Sequence, residues 1–190
     1  NWDAVQYPRF RLLGPLQHVQ VGLGLGAPDG YGAYEADAVS YFPAFRWSLE
    51  LARAHGFRVH GRRFMHRAPV QGSSIMPLIA QSVSAFIVGA PVVDAPGDAY
   101  VRARVSIVYD NYLLSGPPDE LRVRVEAMEN RARRYGITLK PKWPDDGRLA
   151  SCGFEFDVRE RSWSLTPAWA ERAARRLRES RSAEVRLGLA

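Results

Sequence analysis

The chain has 190 residues, 46% of them hydrophobic, and a formal net charge of +6 at pH 7. This length is enough for one domain with a buried core, and the apolar content excludes an intrinsically disordered protein. The apolar runs are far shorter than a membrane span. The single cysteine, Cys152, excludes an internal disulfide and favours an intracellular, reducing compartment.

The positive charge is carried by arginine and lies mainly in the second half of the chain. Of the 26 cationic residues, 24 are arginines, and the two lysines are Lys140 and Lys142. Residues 101–190 hold 18 Lys and Arg against 13 Asp and Glu, whereas residues 1–100 hold 8 against 7. The planar guanidinium group suits phosphate, so this pattern favours a polyanionic partner. The alternative is a GC-rich genome that uses arginine in place of lysine throughout.

The first predicted elements are a loop-rich segment, a strand, a helix and a hairpin. Residues 1–33 are rich in glycine and predict loop with one short strand, "HVQV", at residues 18–21. "AYEADAVSYF" predicts a strand that ends near Asp37. "SLELARAH" at residues 48–55 has the composition of a helix, and "FRVHGRRFMHRA" predicts a β-hairpin around Gly61.

A longer helix is predicted next, over residues 73–90, "SSIMPLIAQSVSAFIVGA". Ser73 or Ser74 can cap its first turn, and that turn also tolerates Pro77. Helical periodicity predicts that its apolar face consists of Ile75, Ile79, Val83 and Phe86.

A hairpin and a second long helix follow. Residues 100–109 predict a strand, the pair Asp110-Asn111 predicts a turn, and "YLLS" predicts the returning strand. Residues 117–136 predict a helix that ends at Gly136. Its periodic apolar stripe consists of Leu121, Val125, Met128 and Ala132.

The last elements complete the predicted fold class. "ITLKP" and "GFEFDV" predict short strands, and a final helix begins at Pro167 after the capping residue Thr166. The whole order predicts an α+β fold, in which helices pack on one face of a mostly antiparallel sheet.

Two aspartates lie where predicted strands end. Asp37 ends one strand and Asp110 lies at the tip of the later hairpin, so both carboxylates reach one edge if these strands are neighbours. Two Mg²⁺ ions held there by shared carboxylates would suit phosphoryl transfer, because Mg²⁺ prefers hard oxygen ligands. Spacing alone leaves two interpretations of Asp110-Asn111 open: a metal site and an ordinary tight turn.

The stretch between these aspartates, "PVQGSSIMPLIAQ", resembles motif B of reverse transcriptases. In that motif Gln-Gly is followed by four residues, a proline and then a glutamine. Gln71, Gly72, Pro77 and Gln81 fall in this pattern without a gap.

Four further stretches resemble the other motifs of the same family, in the same order. "ADAVSYF" is similar to motif A, with Asp37 as the metal-binding aspartate and Phe42 as the bulky residue that screens the sugar 2′ position. "VYDNYLLSG" is similar to motif C, with Asp110 at its first aspartate. "GITLKPK" is similar to motif D, and "SCGFEFD" to motif E, the primer grip, with Gly153 at the family's glycine position.

The resemblance implies the palm of a right-hand polymerase over residues 34–160. Residues 1–33 would be a remnant of the fingers, and residues 161–190 would be a basic helix that could begin a thumb. The implied activity is that of an RNA-directed DNA polymerase. A primer 3′-hydroxyl would attack a dNTP on an RNA template or RNA–DNA hybrid, with Mg²⁺ or Mn²⁺ as the cofactor.

The resemblance also implies roles for individual residues. The metal ligands would be Asp37 and Asp110, with Asn111 as a further ligand through its carbonyl oxygen. Lys142 would be the general acid for the pyrophosphate, with Lys140 as its rival. The nucleotide and template would contact Phe42, Gln71, Gly72 and Pro77, and the nucleic acid would contact Gly153, Arg172, Arg175 and Arg176.

A function of a different class stays open. The chain could be an inactive, reverse-transcriptase-derived RNA-binding or scaffold subunit of a larger ribonucleoprotein, such as a ribosome or its assembly intermediate. Asn111 favours this alternative, since the family usually has a second aspartate there. Retention of the motif residues favours the polymerase, because a scaffold does not need the two carboxylates; these residues are Asp37, Asp110, Gln71, Gly72, Phe42 and Pro77.

Overall fold

The computed structural model describes residues 15–24, 30–69, 76–89 and 104–186. The helices of this part are α1 (Pro15–Gly22), α2 (Tyr41–Ala44), α3 (Leu49–Ala54), α4 (Met76–Val88), α5 (Pro118–Arg134) and α6 (Pro167–Arg186). The strands are β1 (Gly32–Ala38), β2 (Gly56–Val59), β3 (Arg62–Met65), β4 (Val105–Val108), β5 (Asn111–Gly116), β6 (Leu139–Lys142), β7 (Arg148–Ser151), β8 (Phe154–Asp157) and β9 (Ser162–Leu165).

A four-stranded sheet forms the centre of the fold. Its strand order is β4-β5-β1-β6, and each neighbouring pair is antiparallel. β1 pairs with β5 from Gly32 opposite Gly116 to Asp37 opposite Asn111. The predicted fold class, α+β with a mostly antiparallel sheet, is confirmed.

Helices α4 and α5 cover one face of this sheet. Side chains alternate along a strand, so β1 sends Tyr34 and Ala36 to this face, where they join the larger core cluster. α5 buries its predicted stripe of Leu121, Val125, Met128 and Ala132 against them. Gly136, with φ of 71°, follows the helix in the left-handed conformation that ends many helices.

The opposite face is covered by α1 and by the β7-β8-β9 sheet. Leu113 of β5 packs there with Val19 and Phe156. His18 Nδ1 lies 2.8 Å from Ser106 Oγ of β4, and burial lowers the pKa of His18 to about 4. The strand predicted at residues 18–21 is wrong, because this segment lies in α1; four residues fit a helical period as well as a strand period.

The predicted apolar face of α4 is also wrong. Ile75 lies outside the described residues, Ile79 and Val83 are only partly buried, and Phe86 is 45% exposed against the ring of Tyr135. The helix instead packs on the backbone of the β4–β5 hairpin, which requires small and hydrogen-bonding side chains. Its buried residues are Met76, Ala80, Gln81, Ser84, Ala85 and Ile87.

The region after β6 contains more strands than predicted. β8 was expected from the sequence, whereas β7 and β9 were missed. Each has only four residues. β9 is exposed along its whole length, and β7 alternates between exposed and buried residues, but its sequence Arg-Leu-Ala-Ser does not alternate in polarity. Of the helices in the described residues, not one combines the length and apolarity that a membrane crossing needs.

Candidate active site

The end of β1 and the β4–β5 turn meet at one edge of the central sheet. Asp37 on β1 lies directly opposite Asn111 on β5, and such opposite residues have Cβ atoms about 4.5–5.5 Å apart. The pairing of β4 with β5 leaves Tyr109 and Asp110 as the turn. A hydrogen bond of 2.8 Å from Ala38 N to Asp110 O ties this turn to β1. The fold thus brings together the half-buried side chains of Asp37, Asp110 and Asn111.

The predicted turn is displaced by one residue. Asn111 begins β5, and the turn position before Asp110 is taken by Tyr109, whose φ is 53°. This left-handed conformation costs free energy in a residue with a bulky side chain. The turn must therefore be held in place by its surroundings.

The electrostatics of this edge centre on Asp110. Burial raises the pKa of the Asp110 carboxyl, and the nearby charge of Asp37 raises it further. A hydrogen bond of 3.1 Å from Asn111 Nδ2 to Asp110 Oδ1 acts in the opposite direction, because it stabilises the anion. Asn111 thus donates a hydrogen bond to Asp110, whereas an aspartate at this position would repel both Asp37 and Asp110.

Gln81 of α4 clamps the strained turn. Its Nε2 donates to Ile107 O at 3.0 Å, and its Oε1 accepts from Tyr109 N at 3.0 Å. Ser84, one turn further along α4, donates its hydroxyl to Tyr109 O. The amide of Gln81 is 5% exposed, so these bonds are shielded from water. Sequence reasoning placed Gln81 in motif B but gave it no role.

The same serine links the turn to α2. The hydroxyl of Tyr41 lies 2.7 Å from Ser84 Oγ and donates to Ala80 O at 3.0 Å. Phe42 follows Tyr41 in the chain, and its ring centroid lies 6.5 Å from that of Tyr109. Phe42 is thus held beside the turn that carries Asp110.

The two lysines of β6 occupy different positions relative to this edge. Lys140 is opposite Asp37, whereas Lys142 is opposite Glu35, two residue pairs further into the sheet. Lys142 Nζ forms an ion pair of 2.8 Å with Glu35 Oε2, and the two side chains are 50% and 1% exposed. Burial raises the pKa of Glu35, and Lys142 opposes that shift. Lys142 therefore has a structural partner, and Lys140 is the lysine level with Asp37.

Lys142→Met is expected to lower the free energy of unfolding by about 1–2 kcal/mol, because it leaves the buried Glu35 carboxylate without its cation. The loss should be smaller than for a fully buried pair, since Lys142 is half-exposed and water screens it. Glu35→Gln in the same chain should recover most of this loss. Urea unfolding of the single and double variants measures both effects. Lys140→Met is the matched control, and an equal loss in that variant would contradict a specific pair.

The remaining predicted residues lie in three places. Gln71 and Gly72 lie outside the described residues, and Pro77 is exposed in the first turn of α4. Gly153 has φ of 85° in the β7–β8 turn, and a side chain there would meet the indole of Trp169 on α6. Gly153 therefore lets α6 approach this turn closely.

The predicted arginines lie on the exposed surface of α6. Arg172 stacks over the Trp169 ring at 5.0 Å, and Arg175 lies 3.9 Å from Glu179. Arg176 is also exposed. These residues belong to a different element from the Asp37 edge, and they offer a basic surface next to Gly153.

The donor atoms at the Asp37 edge decide which metal it could bind. In the described ranges, no group of three or more His, Cys, Asp and Glu side chains is arranged to hold a metal ion. The edge offers two carboxylates and the amide oxygen of Asn111, which are hard ligands of the kind that Mg²⁺ prefers. These three side chains therefore fit Mg²⁺ or Mn²⁺. They supply two negative charges, one fewer than three carboxylates would.

Comparison with known proteins identifies similar folds. No protein-family model and no curated protein matches the chain. A structure of the foamy viral protease-reverse transcriptase with double-stranded DNA has a TM-score of 0.61 and 14% identity, and the match covers 90% of this chain and 33% of that one. The structure of the same viral protein with an RNA/DNA hybrid has a TM-score of 0.59 and 12% identity, and the match covers 85% of this chain and 20% of that one.

A third structure, of the foamy viral protease-reverse transcriptase dRH with double-stranded DNA, has a TM-score of 0.59 and 13% identity, and the match covers 89% of this chain and 26% of that one. The chain thus spans a third or less of the length of each of these neighbours. At these identities the likeness concerns the fold. The chain has a reverse-transcriptase-like fold, with antiparallel sheets and packed helices in the same arrangement.

Proposed function

We propose that residues 34–160 form the palm of an RNA-directed DNA polymerase, which transfers a nucleotide from a dNTP to a primer 3′-hydroxyl. The observation that carries the proposal is the meeting of Asp37, Asp110 and Asn111 at one sheet edge. The neighbours in complex with double-stranded DNA and with an RNA/DNA hybrid support a nucleic-acid partner. In this proposal residues 1–33 belong to the fingers and residues 161–190 begin the thumb.

The metal in this proposal is Mg²⁺, or Mn²⁺ in its place. Asp37 and Asp110 would hold it, with the carbonyl oxygen of Asn111 as a neutral ligand. When bound, such an ion supplies positive charge that orients the phosphates and neutralises charge developing on them.

The chain's own residues would do the positioning. Gln81 and Ser84 fix the turn, so the Asp110 carboxylate is held before substrate arrives, as catalysis by positioning requires. Phe42, beside this turn, would screen the sugar of the dNTP, and Gln71, Gly72 and Pro77 would hold nucleotide and template. Lys142 stays the candidate general acid by its motif, and Lys140 competes for that role by its place opposite Asp37.

The basic surface would hold nucleic acid outside the site. Gly153 positions the β7–β8 turn against α6, and Arg172, Arg175 and Arg176 would contact phosphates of the primer–template. Arginine suits this task because its guanidinium binds phosphate with two parallel hydrogen bonds.

Asp110→Ala is expected to weaken Mn²⁺ binding by about tenfold or more, because it removes one of two charged ligands from a site with few of them. Isothermal titration calorimetry on the chain measures this without requiring polymerisation. Asp119→Ala, at an exposed carboxylate in the first turn of α5, is the matched control and should bind Mn²⁺ as the unchanged chain does. Equal Mn²⁺ affinity in Asp110→Ala and in the unchanged chain would contradict the role of Asp110 as a metal ligand.

A second candidate function is an inactive RNA-binding or scaffold subunit of a ribonucleoprotein. Two observations favour it: Asn111 lowers the negative charge of the site, and Lys142 is engaged with Glu35. This candidate predicts RNA binding that does not depend on Asp37. It also predicts that the affinity falls with salt, as counterions are released from the bound phosphates.

A further inference from the structure

The β2–β3 hairpin carries an exposed surface that the proposed polymerase chemistry does not use. Every residue of its two strands is exposed. The strand register pairs Phe57 with Phe64 and Val59 with Arg62, so these side chains share one face. His66 joins them, with its ring centroid 4.6 Å from that of Phe57. We call these five residues the hairpin platform.

The two phenylalanines present a flat aromatic surface to water. Their ring centroids are 5.7 Å apart and their planes differ by 22°. Phe57 is 41% exposed and Phe64 is 46% exposed, although both are large apolar side chains. Exposed, nearly parallel rings of this kind offer the π-faces on which unpaired nucleic-acid bases stack.

The charge of the hairpin is complementary to phosphate. Residues 56–69 contain Arg58, Arg62, Arg63 and Arg67 and no Asp or Glu. Arg62 lies on the face of the platform, whereas Arg58 and Arg63 are a cross-strand pair on the opposite face. Within the described part of the chain, these four arginines form no ion pair with a carboxylate. The guanidinium of Arg62 is therefore available to a phosphate beside the two rings.

The segment that carries the hairpin is closed at its base. This segment leaves β1 after Ala38, and a backbone hydrogen bond of 3.0 Å from Trp47 N to Arg67 O closes its base. The stacked rings of Trp47 and His55, 5.1 Å apart, brace the same base. The two ends of the segment that carries the platform are therefore held together.

We propose that the hairpin platform binds single-stranded nucleic acid. Bases stack on Phe57 and Phe64, and a phosphate contacts Arg62, which lies on the same face of the hairpin. A duplex is a poor ligand for this surface, because its bases already stack on one another. The inference stands apart from metal binding at Asp37 and Asp110, so either can fail without the other.

The test is fluorescence anisotropy of the whole chain with labelled oligothymidylate, labelled oligouridylate and a labelled blunt duplex. Phe57→Leu with Phe64→Leu keeps apolar side chains but removes the rings, and it should raise the Kd for both single strands by about tenfold or more. Arg62→Gln should lower the slope of log Kd against log salt by about 0.7, the value for one phosphate contact with a single strand. Duplex binding should change less in both variants.

Tyr135→Leu is the matched control, because it removes an aromatic side chain that is 57% exposed at the end of α5. It should bind the single strands as the unchanged chain does, and circular dichroism should show the same melting temperature for all variants. Unchanged single-strand binding in Phe57→Leu with Phe64→Leu would overturn the proposal. The proposal would also be overturned if this double variant lost a self-associated state, seen by light scattering, but still bound the oligonucleotides. The platform would then be a protein interface.

Discussion

Asp37→Asn is expected to reduce template-directed dNTP incorporation by about a thousandfold or more. The substitution keeps the shape of the side chain but removes one of two charges that the proposed site uses to hold Mg²⁺. Charge stabilisation by such a metal contributes several kcal/mol, and each ~1.4 kcal/mol is a factor of ten in rate. The measurement is primer extension on a primed RNA template by the native protein, with Mg²⁺ and with Mn²⁺.

Asn111→Asp is the informative counterpart, because it changes charge at the same edge in the opposite direction. It adds one negative charge opposite Asp37 and should keep or raise extension, since a metal offsets the added repulsion. In the absence of metal, the same substitution removes the hydrogen bond that Asn111 donates to Asp110 and adds repulsion. Its stability should therefore depend on added Mn²⁺ more strongly than that of the unchanged chain.

The outcomes separate the two candidate functions. Incorporation that survives Asp37→Asn would refute the catalytic assignment of that residue. No incorporation by the native protein with either metal, together with RNA binding that is indifferent to Asp37, would favour the scaffold. Salt dependence of RNA binding does not discriminate, because both functions bind a polyanion through arginine.

Gln81→Leu is expected to lower the free energy of unfolding by about 2–4 kcal/mol. It leaves Ile107 O and Tyr109 N–H without partners at a buried place, and each such loss costs about 1–3 kcal/mol. Leucine has a volume similar to that of glutamine, so the loss reports hydrogen bonding and not a cavity. Urea unfolding followed by circular dichroism measures it. Mn²⁺ affinity should fall too, because the turn that carries Asp110 loses its clamp.

Ser82→Ala is the control for this variant. Ser82 lies next to Gln81 on α4, but its hydroxyl donates to Leu78 O within the same helix at 2.9 Å. Its removal should change the free energy of unfolding by no more than about 0.5 kcal/mol. If Gln81→Leu and Ser82→Ala had equal effects on stability and on Mn²⁺ affinity, Gln81 would not be a clamp of the turn.

Elements with strong local signals were predicted well. The stripe on α5 repeats with the helical period over about three turns and is buried as expected, and the hairpin around Gly61 follows from short strand-forming stretches on either side of a glycine. β1 was predicted to end near Asp37, and it ends one residue later, at Ala38. These features depend on neighbours in the chain, which a sequence displays directly.

The errors occur where a distant part of the chain decides the structure. α4 turns Gln81 and Ser84 inward and Phe86 outward, because the surface it packs on is the backbone of a hairpin with unpaired polar groups. The segment at residues 18–21 is part of a helix that packs on the face of the sheet opposite α4 and α5, where Val19 and Val21 are buried against apolar side chains from other elements. Neither choice is visible in the local pattern of apolar residues.

The sequence by itself determined the class of fold, and its motif order indicated which oxygen-bearing residues, Asp37, Asp110 and Asn111, to look for together. Only the tertiary structure decided how they meet, with Asp37 opposite Asn111 and Asp110 in the adjoining turn. It also decided that Lys142 pairs with Glu35 while Lys140 lies level with Asp37. The physical reason is that strand register joins residues far apart in the chain, and a shift of one residue would send every side chain to the other face of the sheet.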